Sequence, residues 1–277
     1  MIWLALAAPA WAEGELSAAN RLVSIGGSLT EIVHALGEEQ RLVARDSTST
    51  FPPEAATLPD VGYMRQLSPE GVLSVNPDGI LALAGSGPPE AMEVLDRAGV
   101  PLVLVPETFS REGIIEKIKT VGQALDVPQK AEKLAAQVAA DLAQAEASAA
   151  ENQPKRVLFV LSVQGGKLLA SGAGTAADGI IRMAGAVNAV QGYSGYKQLS
   201  DEAALLAAPD VVLMMDRAGE HSLDADALFD LPALRATPAA ASKALIRMDG
   251  SYLLGFGPRT AGAVRDLAQG LSAHDGD

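Results

Sequence analysis

The sequence predicts an α/β protein made of two similar lobes with parallel central sheets, joined by one long α-helix. Three observations carry this expectation. The first is an internal repeat: LSPEGVLSVNPDGILAL from Leu67 returns as LSDEAALLAAPDVVLMM from Leu199, with Leu, Ser, Glu, Pro and Asp in register from Leu67/Leu199 to Asp78/Asp210. A weaker echo sets RLVSIGG from Arg21 against RVLFVLSVQGG from Arg156. The offset of 132 residues is too long for a solenoid repeat, so it reads as one lobe built twice with a cleft between the copies. The second is an alternation of short apolar runs with amphipathic segments, the pattern of parallel α/β sheets. The third is the segment DVPQKAEKLAAQVAADLAQAEASAAENQ, from Asp126 to Gln153, rich in Ala, Gln, Glu, Lys and Leu and free of Gly.

Each element has a local cause. Arg21 to Ile25 is a buried strand ending at Gly26-Gly27, and Ser28 or Thr30 caps the helix TEIVHALG, which Gly37 closes. RLVAR from Arg41 is the next strand, and the loop DSTSTFPPEA comes after it. Pro69 to Leu73 is a short helix, with Pro69 in its first turn and Glu70 favoured by the helix dipole. Gly79 to Ala84 is a strand, Glu90 to Ala98 a helix and Pro101 to Val105 a strand. In the long helix Pro128 occupies a tolerated first-turn position, and Leu134, Val138 and Leu142 form an apolar stripe. Some 22 residues at ~1.5 Å each span roughly 33 Å, which suits a bridge between lobes, although a stripe alone also fits packing on one lobe. In the second lobe Arg156 to Ser162 is a strand, Thr175 to Gly185 a helix, Asp201 to Ala207 a short helix and Val211 to Met215 a strand. Gly165-Gly166 has the look of a strand-to-helix turn. Pro258 of GFGPRT starts the closing helix, Arg259 to Leu271.

The expected division is therefore a signal-peptide remnant over residues 1–12, an N-terminal lobe over 13–125, a bridging helix over 126–153 and a C-terminal lobe over 154–277. The opening MIWLALAAPAWA is apolar, too short to span a bilayer and ends in Ala10-Trp11-Ala12, which resembles a cleavage site; a buried N-terminal strand is the other reading. Export to the periplasm is the expectation. Cysteine is absent, so a large core must supply the stability. A net charge of −13 and the lack of a basic cluster argue against nucleic acid.

Enzyme signatures are thin. His34, His221 and His274 are the only histidines, and no H-E-x-x-H, G-x-S-x-G or phosphate-loop pattern occurs. His34 reads as a core-edge residue. The first repeat is preceded by Gly62-Tyr63-Met64-Arg65, which the second lacks, and that asymmetry points to a ligand. A phenolate is a hard oxygen donor to ferric iron, and Arg65 lies close enough in sequence to bond it or to pair with a carboxylate. On chemistry alone a loop Tyr-x-Arg also fits an ordinary surface turn.

The segments RLVSIGGSLTEIVHALG, DSTSTFPPEA, LPDVGYMRQLSPEGVLSVNPDGILA, SGAGTAADGIIRMAG, GYKQLSDEAALLAAPDVVL and GFGPR together resemble the periplasmic haem-binding proteins of bacterial ABC-type haemin importers. The likeness spans nearly the whole chain after residue 12, and GY-x-R-x-L-S-x-EG is its most specific part. It implies two Rossmann-like lobes with haem (heme) held edge-in between them, Tyr63 as the axial ligand to iron and Arg65 beside it. Arg217 is the second-lobe candidate for a propionate, beside the ordinary surface reading, and Tyr196 a candidate wall residue facing Tyr63. The resemblance also implies that Glu70 and Glu202 dock on the two subunits of an inner-membrane ABC permease. It further implies a monomeric carrier that is not an enzyme, with an outer-membrane haem receptor system upstream. Some relatives add a histidine from the second lobe, but the corresponding stretch here carries Gln164, which leaves His221 as a remote candidate for a sixth ligand. A carrier for another tetrapyrrole or iron ligand, such as cobalamin or a ferric siderophore, and a metal-handling enzyme on the same lobes are the alternatives.

Overall fold

Uninterrupted runs of Val, Leu and Ile mark strands buried on both faces. In the computed structural model, which describes residues 15–216 and 223–274, β1 (Leu22–Ile25), β2 (Leu42–Arg45), β3 (Gly79–Leu83) and β4 (Leu102–Val105) form a parallel sheet in the order β2-β1-β3-β4. The central pair β1 and β3 is buried at every residue, while β2 and β4 at the edges are buried only at alternate positions. Around the sheet run α1 (Gly27–Ala35), α2 (Pro69–Leu73), α3 (Pro89–Asp96) and α4 (Arg111–Ala124), with the longer α5 (Pro128–Ala149) next in the chain. The chain divides into two compact units, one of Met1–Thr108 with Glu112–Gln137 and one of Phe109–Arg111 with Val138–Asp277.

Helix α1 starts earlier than expected. Gly26, at φ +117°, turns the chain at the end of β1, so Ser28 and Thr30 fall inside the helix and neither caps it. Thr30 instead bonds Ser24 Oγ at 2.8 Å and Ser49 Oγ at 2.7 Å in the buried layer beneath. The other end matches the expectation: Gly37, at φ +70°, donates to the His34 carbonyl while the Glu38 N–H reaches that of Val33, a Schellman closure. Helix α2 has the expected bounds, with Ser68 accepting from the Gly71 N–H at 3.3 Å.

Helix α4 was not anticipated, although Ile114, Ile118 and Val121 recur on one buried face. The α5 stripe differs from the expected one. Its buried residues are Ala131, Ala135, Val138, Leu142, Ala145 and Ala149, while Leu134 is only half-buried. Steps of four and three alternate because repeated steps of four rotate off one face at 3.6 residues per turn. Alanine predominates because neighbours come very close. A Cβ on Gly122 of α4 would collide with Ala131, and one on Gly185 with the Ala149 carbonyl at 2.5 Å. The first half of α5 thus packs within the first unit and the second half within the other.

In the second unit the sheet order is β10-β9-β5-β6-β8, with β7 also paired to β5. The parallel centre consists of β5 (Arg156–Gln164), β9 (Val211–Asp216) and β10 (Leu245–Asp249), and β7 (Val187–Asn188) joins β5 in parallel. An antiparallel extension of β6 (Lys167–Ser171) and β8 (Tyr196–Leu199) makes this sheet mixed. Its cause is Gly165-Gly166. Both residues have positive φ, +56° and +76°, so the pair forms a two-residue hairpin turn in place of the expected strand-to-helix turn. The helices are α6 (Ala176–Met183), α7 (Asp201–Ala207), α8 (Ala225–Phe229), α9 (Pro238–Ala241), α10 (Gly250–Leu254) and α11 (Thr260–Ser272). Thr175 caps α6 and Ser200 caps α7. Phe109 belongs to this unit through an edge-on contact with Phe256, ring centroids 5.2 Å apart, and Arg111 through an ion pair with Glu146 at 3.1 Å.

Candidate functional site

Ligands of open parallel sheets bind beyond the carboxyl ends of the strands, where strand order reverses. In the first unit that edge is formed by the loops after β1, β2, β3 and β4, and the Tyr63 segment lies on it. Three contacts tie the segment to β2 and its loop. Arg45 exchanges backbone hydrogen bonds with Pro59 and Val61, its guanidinium pairs with Asp60 at 2.6 Å, and the Ser47 N–H donates to the Gly62 carbonyl at 2.9 Å. Gly62 has φ +101°, a conformation that favours glycine, and its N–H donates to Asp60 Oδ1 at 2.8 Å. Beyond it Tyr63 and Gln66 close a turn, and Gly87 clasps the segment from the β3 side by donating to Met64 and accepting from Leu67, each at 2.8 Å.

This frame leaves two side chains outside. Tyr63 is 43% exposed, unusual for so large an apolar ring, and among the described residues its hydroxyl makes no hydrogen bond. Arg65 is also exposed and, among the described residues, has neither a hydrogen bond nor an ion pair. Other tyrosines are differently placed. The Tyr252 hydroxyl donates to Asp266 at 2.9 Å and its phenol is pushed up to about 12, by burial first and then by that carboxylate. The Tyr193 hydroxyl donates to the Ala170 carbonyl at 3.1 Å, and burial raises its phenol as well. Neither suits a phenolate ligand near neutral pH. Tyr196 begins β8 in the second unit, its ring edge-on to buried Phe159 with centroids 6.3 Å apart.

Two further charged groups were not anticipated. Glu107 lies just past β4 on the same strand-end edge, and Lys117 of α4 meets it at 2.7 Å while also donating to Ser28 Oγ at 3.2 Å. Lys117 is fully buried. Burial pushes the Glu107 carboxyl up, and the charges of Lys117 and Arg65 pull it back. Burial lowers the Lys117 ammonium, with Glu107 and, more weakly, buried Glu31 opposing. The signal was present in the sequence: Lys117 interrupts the apolar stripe of Ile114, Ile118 and Val121, a position lysine occupies only when it is paired.

Glu70 and Glu202 occupy equivalent first-turn positions on α2 and α7, each two residues after a capping serine. Both are exposed and, among the described residues, neither makes an ion pair. His34 is a half-exposed core-edge residue whose imidazole burial lowers. Arg217, His221 and the segment 1–12 lie outside the described residues. Among the described residues no group of three or more His, Asp or Glu is placed to hold a metal ion, and no helix is long and apolar enough to cross a membrane.

Comparison with known proteins finds periplasmic binding proteins, among them solved haem-binding proteins and curated vitamin B12-binding proteins such as that of Yersinia pestis (strain Pestoides F), which is 26% identical over 78% of this chain and 76% of its own length. A family model described as "Periplasmic binding protein" matches residues 22–252. The periplasmic haem-binding protein BhuT, solved in complex with two haems, is 42% identical, with 92% of this chain and 98% of that one covered and a TM-score of 0.86. The periplasmic haem-binding protein RhuT from Roseiflexus sp. RS-1, in apo form, is 39% identical over 93% of this chain and 100% of that one, with a TM-score of 0.88. Among curated sequences, an ABC transporter substrate-binding lipoprotein, YvrC of Bacillus subtilis (strain 168), is 25% identical over 91% of this chain and 80% of its own length.

Proposed function

Because the chain belongs to the periplasmic binding protein family, we propose that it is an extracytoplasmic carrier that captures haem and delivers it to an ABC-type inner-membrane permease. The carrying observation is the turn of Tyr63 and Arg65. A rigid frame presents a phenol and a guanidinium, both without bonded partners among the described residues, at the strand ends where this fold binds ligands. Tyr63 supplies the axial oxygen to ferric iron, and coordination to the cation drives its deprotonation. Arg65 pairs with a propionate or steadies the phenolate, and Arg217 and Tyr196 complete the ligand's surroundings. The likeness to BhuT and RhuT, both above a third identical and covered over at least 98% of their own chains, supports haem as the ligand.

Delivery rests on Glu70 and Glu202, one carboxylate per unit, each meeting a basic pocket on a permease subunit. The carrier works as a monomer downstream of an outer-membrane receptor system, and residues 1–12 act as the end of its export signal. Its role is binding and hand-over, not catalysis.

The deciding experiment is a haemin titration of the purified chain and of Tyr63→Phe. The wild type develops a Soret band with the charge-transfer features of tyrosinate ligation, and Tyr63→Phe loses those features. Release from the variant is faster by more than the roughly 10–100-fold that changes beyond the ligand shell cost. An unchanged spectrum in Tyr63→Phe refutes the assignment.

A further inference from the structure

We infer that α7 docks on the permease through an apolar contact as well as a charge, with Leu206 seated against apolar side chains beside the basic pocket that takes Glu202. This rests on the reading of Glu202 as a docking carboxylate. Leu206 is 84% exposed, whereas the next large apolar side chain among the described residues, Val94 of α3, is 50% exposed. Leu205 is exposed as well. Residues three and four apart share a helix face, so Glu202, Leu205 and Leu206 form one outward patch. The inward face of α7 carries Ala204 and Ala207, both buried in the core of the second unit.

This arrangement inverts what burial alone would select. A leucine hides more apolar surface than an alanine, so a helix serving only its own core turns its leucines in. The first copy of the repeat follows that rule. At the 132-residue offset Ala204 corresponds to Val72, Leu205 to Leu73 and Leu206 to Ser74. Val72 is buried in the core of the first unit, Leu73 packs half-buried against it, and exposed Ser74 donates its hydroxyl to the Gly71 carbonyl at 2.8 Å. The two helices thus share an exposed glutamate and a capping serine and differ in where the apolar bulk lies.

Charge selects the occupant. Asp201 and Glu202 stand in the first turn of α7, and the chain carries a net charge of −13. A second copy brings like charge against like, and an anionic lipid surface repels the same carboxylates. A protein surface that offers a cation to Glu202 and apolar side chains to the leucines satisfies both halves of the patch. The two halves act at different steps, since charge steers the encounter and a desolvated apolar contact slows dissociation.

The experiment measures association and dissociation of the whole chain on its ABC permease, held in nanodiscs of zwitterionic lipid. It compares the wild type, Leu206→Ser and Glu70→Ala/Glu202→Ala. Leu206→Ser dissociates about tenfold faster and associates at the wild-type rate. The ratio persists as salt is raised, because an apolar contact is not screened. Its urea midpoint and haemin release match the wild type, since so exposed a leucine adds little to the core. Dissociation of Leu206→Ser at the wild-type rate overturns the inference, as does a lowered urea midpoint, which would assign Leu206 to packing within the fold. Leu206-dependent capture by empty nanodiscs, or a Leu206-dependent dimer in sedimentation, gives the face to lipid or to a second copy and overturns it too. Wild-type binding by Glu70→Ala/Glu202→Ala overturns the docking reading and this inference together, whereas lost binding in that variant with an unchanged Leu206→Ser overturns only the inference.

Discussion

Asp78 clasps Arg21 at the entrance of the first sheet. One carboxylate oxygen accepts the Arg21 backbone N–H at 2.7 Å and the other that of Asn20 at 3.0 Å, while Arg21 Nε donates to the Asn76 carbonyl at 2.8 Å. The second unit repeats the arrangement. Asp210 accepts the Arg156 N–H at 2.8 Å, and Arg156 Nε donates to the Ala207 carbonyl at 2.8 Å. Before each Pro-Asp pair the chain takes a left-handed residue, Asn76 at φ +49° and Ala208 at φ +40°. The internal repeat is thus a repeated clasp between a short helix and the strand beside it.

Asp78→Ala removes two charge-assisted bonds and Asp210→Ala one. The first variant should lose about 1–3 kcal/mol and the second less, since each such bond is modest at an exposed strand end. Urea midpoints measured side by side test the order. An unshifted midpoint for Asp78→Ala would show the clasp to be energetically idle.

For the buried pair, the two single variants should differ. Glu107→Gln leaves a fully buried ammonium with only the weaker pull of Glu31 to offset it, and Lys117→Met leaves a carboxylate that still reaches the surface. Loss of one partner of a buried pair typically costs about 3–5 kcal/mol, with the stranded lysine at the upper end. The double variant Lys117→Met/Glu107→Gln should recover most of that loss. Thermal denaturation of the three proteins decides it, and a double variant as weak as Glu107→Gln would contradict the pairing.

Tyr252 gives an alkaline signature. Its phenol is raised in the folded state to about 12, by burial and then by Asp266, so the neutral form is the one the fold favours. The stability it adds is complete below the ordinary phenol value near 10 and is lost as pH rises through the folded value. Tyr252→Phe has no such group, so its stability should fall less steeply than that of the wild type from about pH 10 to 12. Phenolate absorbance monitored in parallel should lose a late-titrating step, near pH 12, in the variant. Identical alkaline profiles would refute the assignment.

Docking is tested by transport. The double variant Glu70→Ala/Glu202→Ala should bind haemin as the wild type does and fail to support uptake through the permease. Raising salt should weaken wild-type delivery in the same direction, since added salt shortens the screening length from about 8 Å at physiological ionic strength to about 3 Å at 1 M. Normal uptake by the double variant would remove these carboxylates from the interface.

Most of what depends on a few adjacent residues was legible in the sequence, although the start of α1 and the whole of α4 were not. Ser68-Pro69-Glu70 defines α2, Gly37 ends α1, the Gly-free segment after Pro128 forms α5, and GYMR marks the exposed turn, because caps, φ restrictions and helix propensity act within one or two turns of chain. The 132-residue repeat was visible for the same reason, since both copies must make the same short clasp. Tertiary structure decided the rest. Gly165-Gly166 could lead into a helix or a hairpin, and the choice fell to the hairpin because β6 pairs with β5 in antiparallel register. The face of α5 was set by close approach to Gly122 and Gly185, not by its largest side chains. Lys117 and Glu107 lie ten residues apart, one on α4 and one in the loop after β4, and only the approach of α4 to that loop and to α1 turns an awkward lysine into half of an ion pair. Burial energies and long-range pairing are properties of the folded chain, and local preference carries no record of which distant group will arrive.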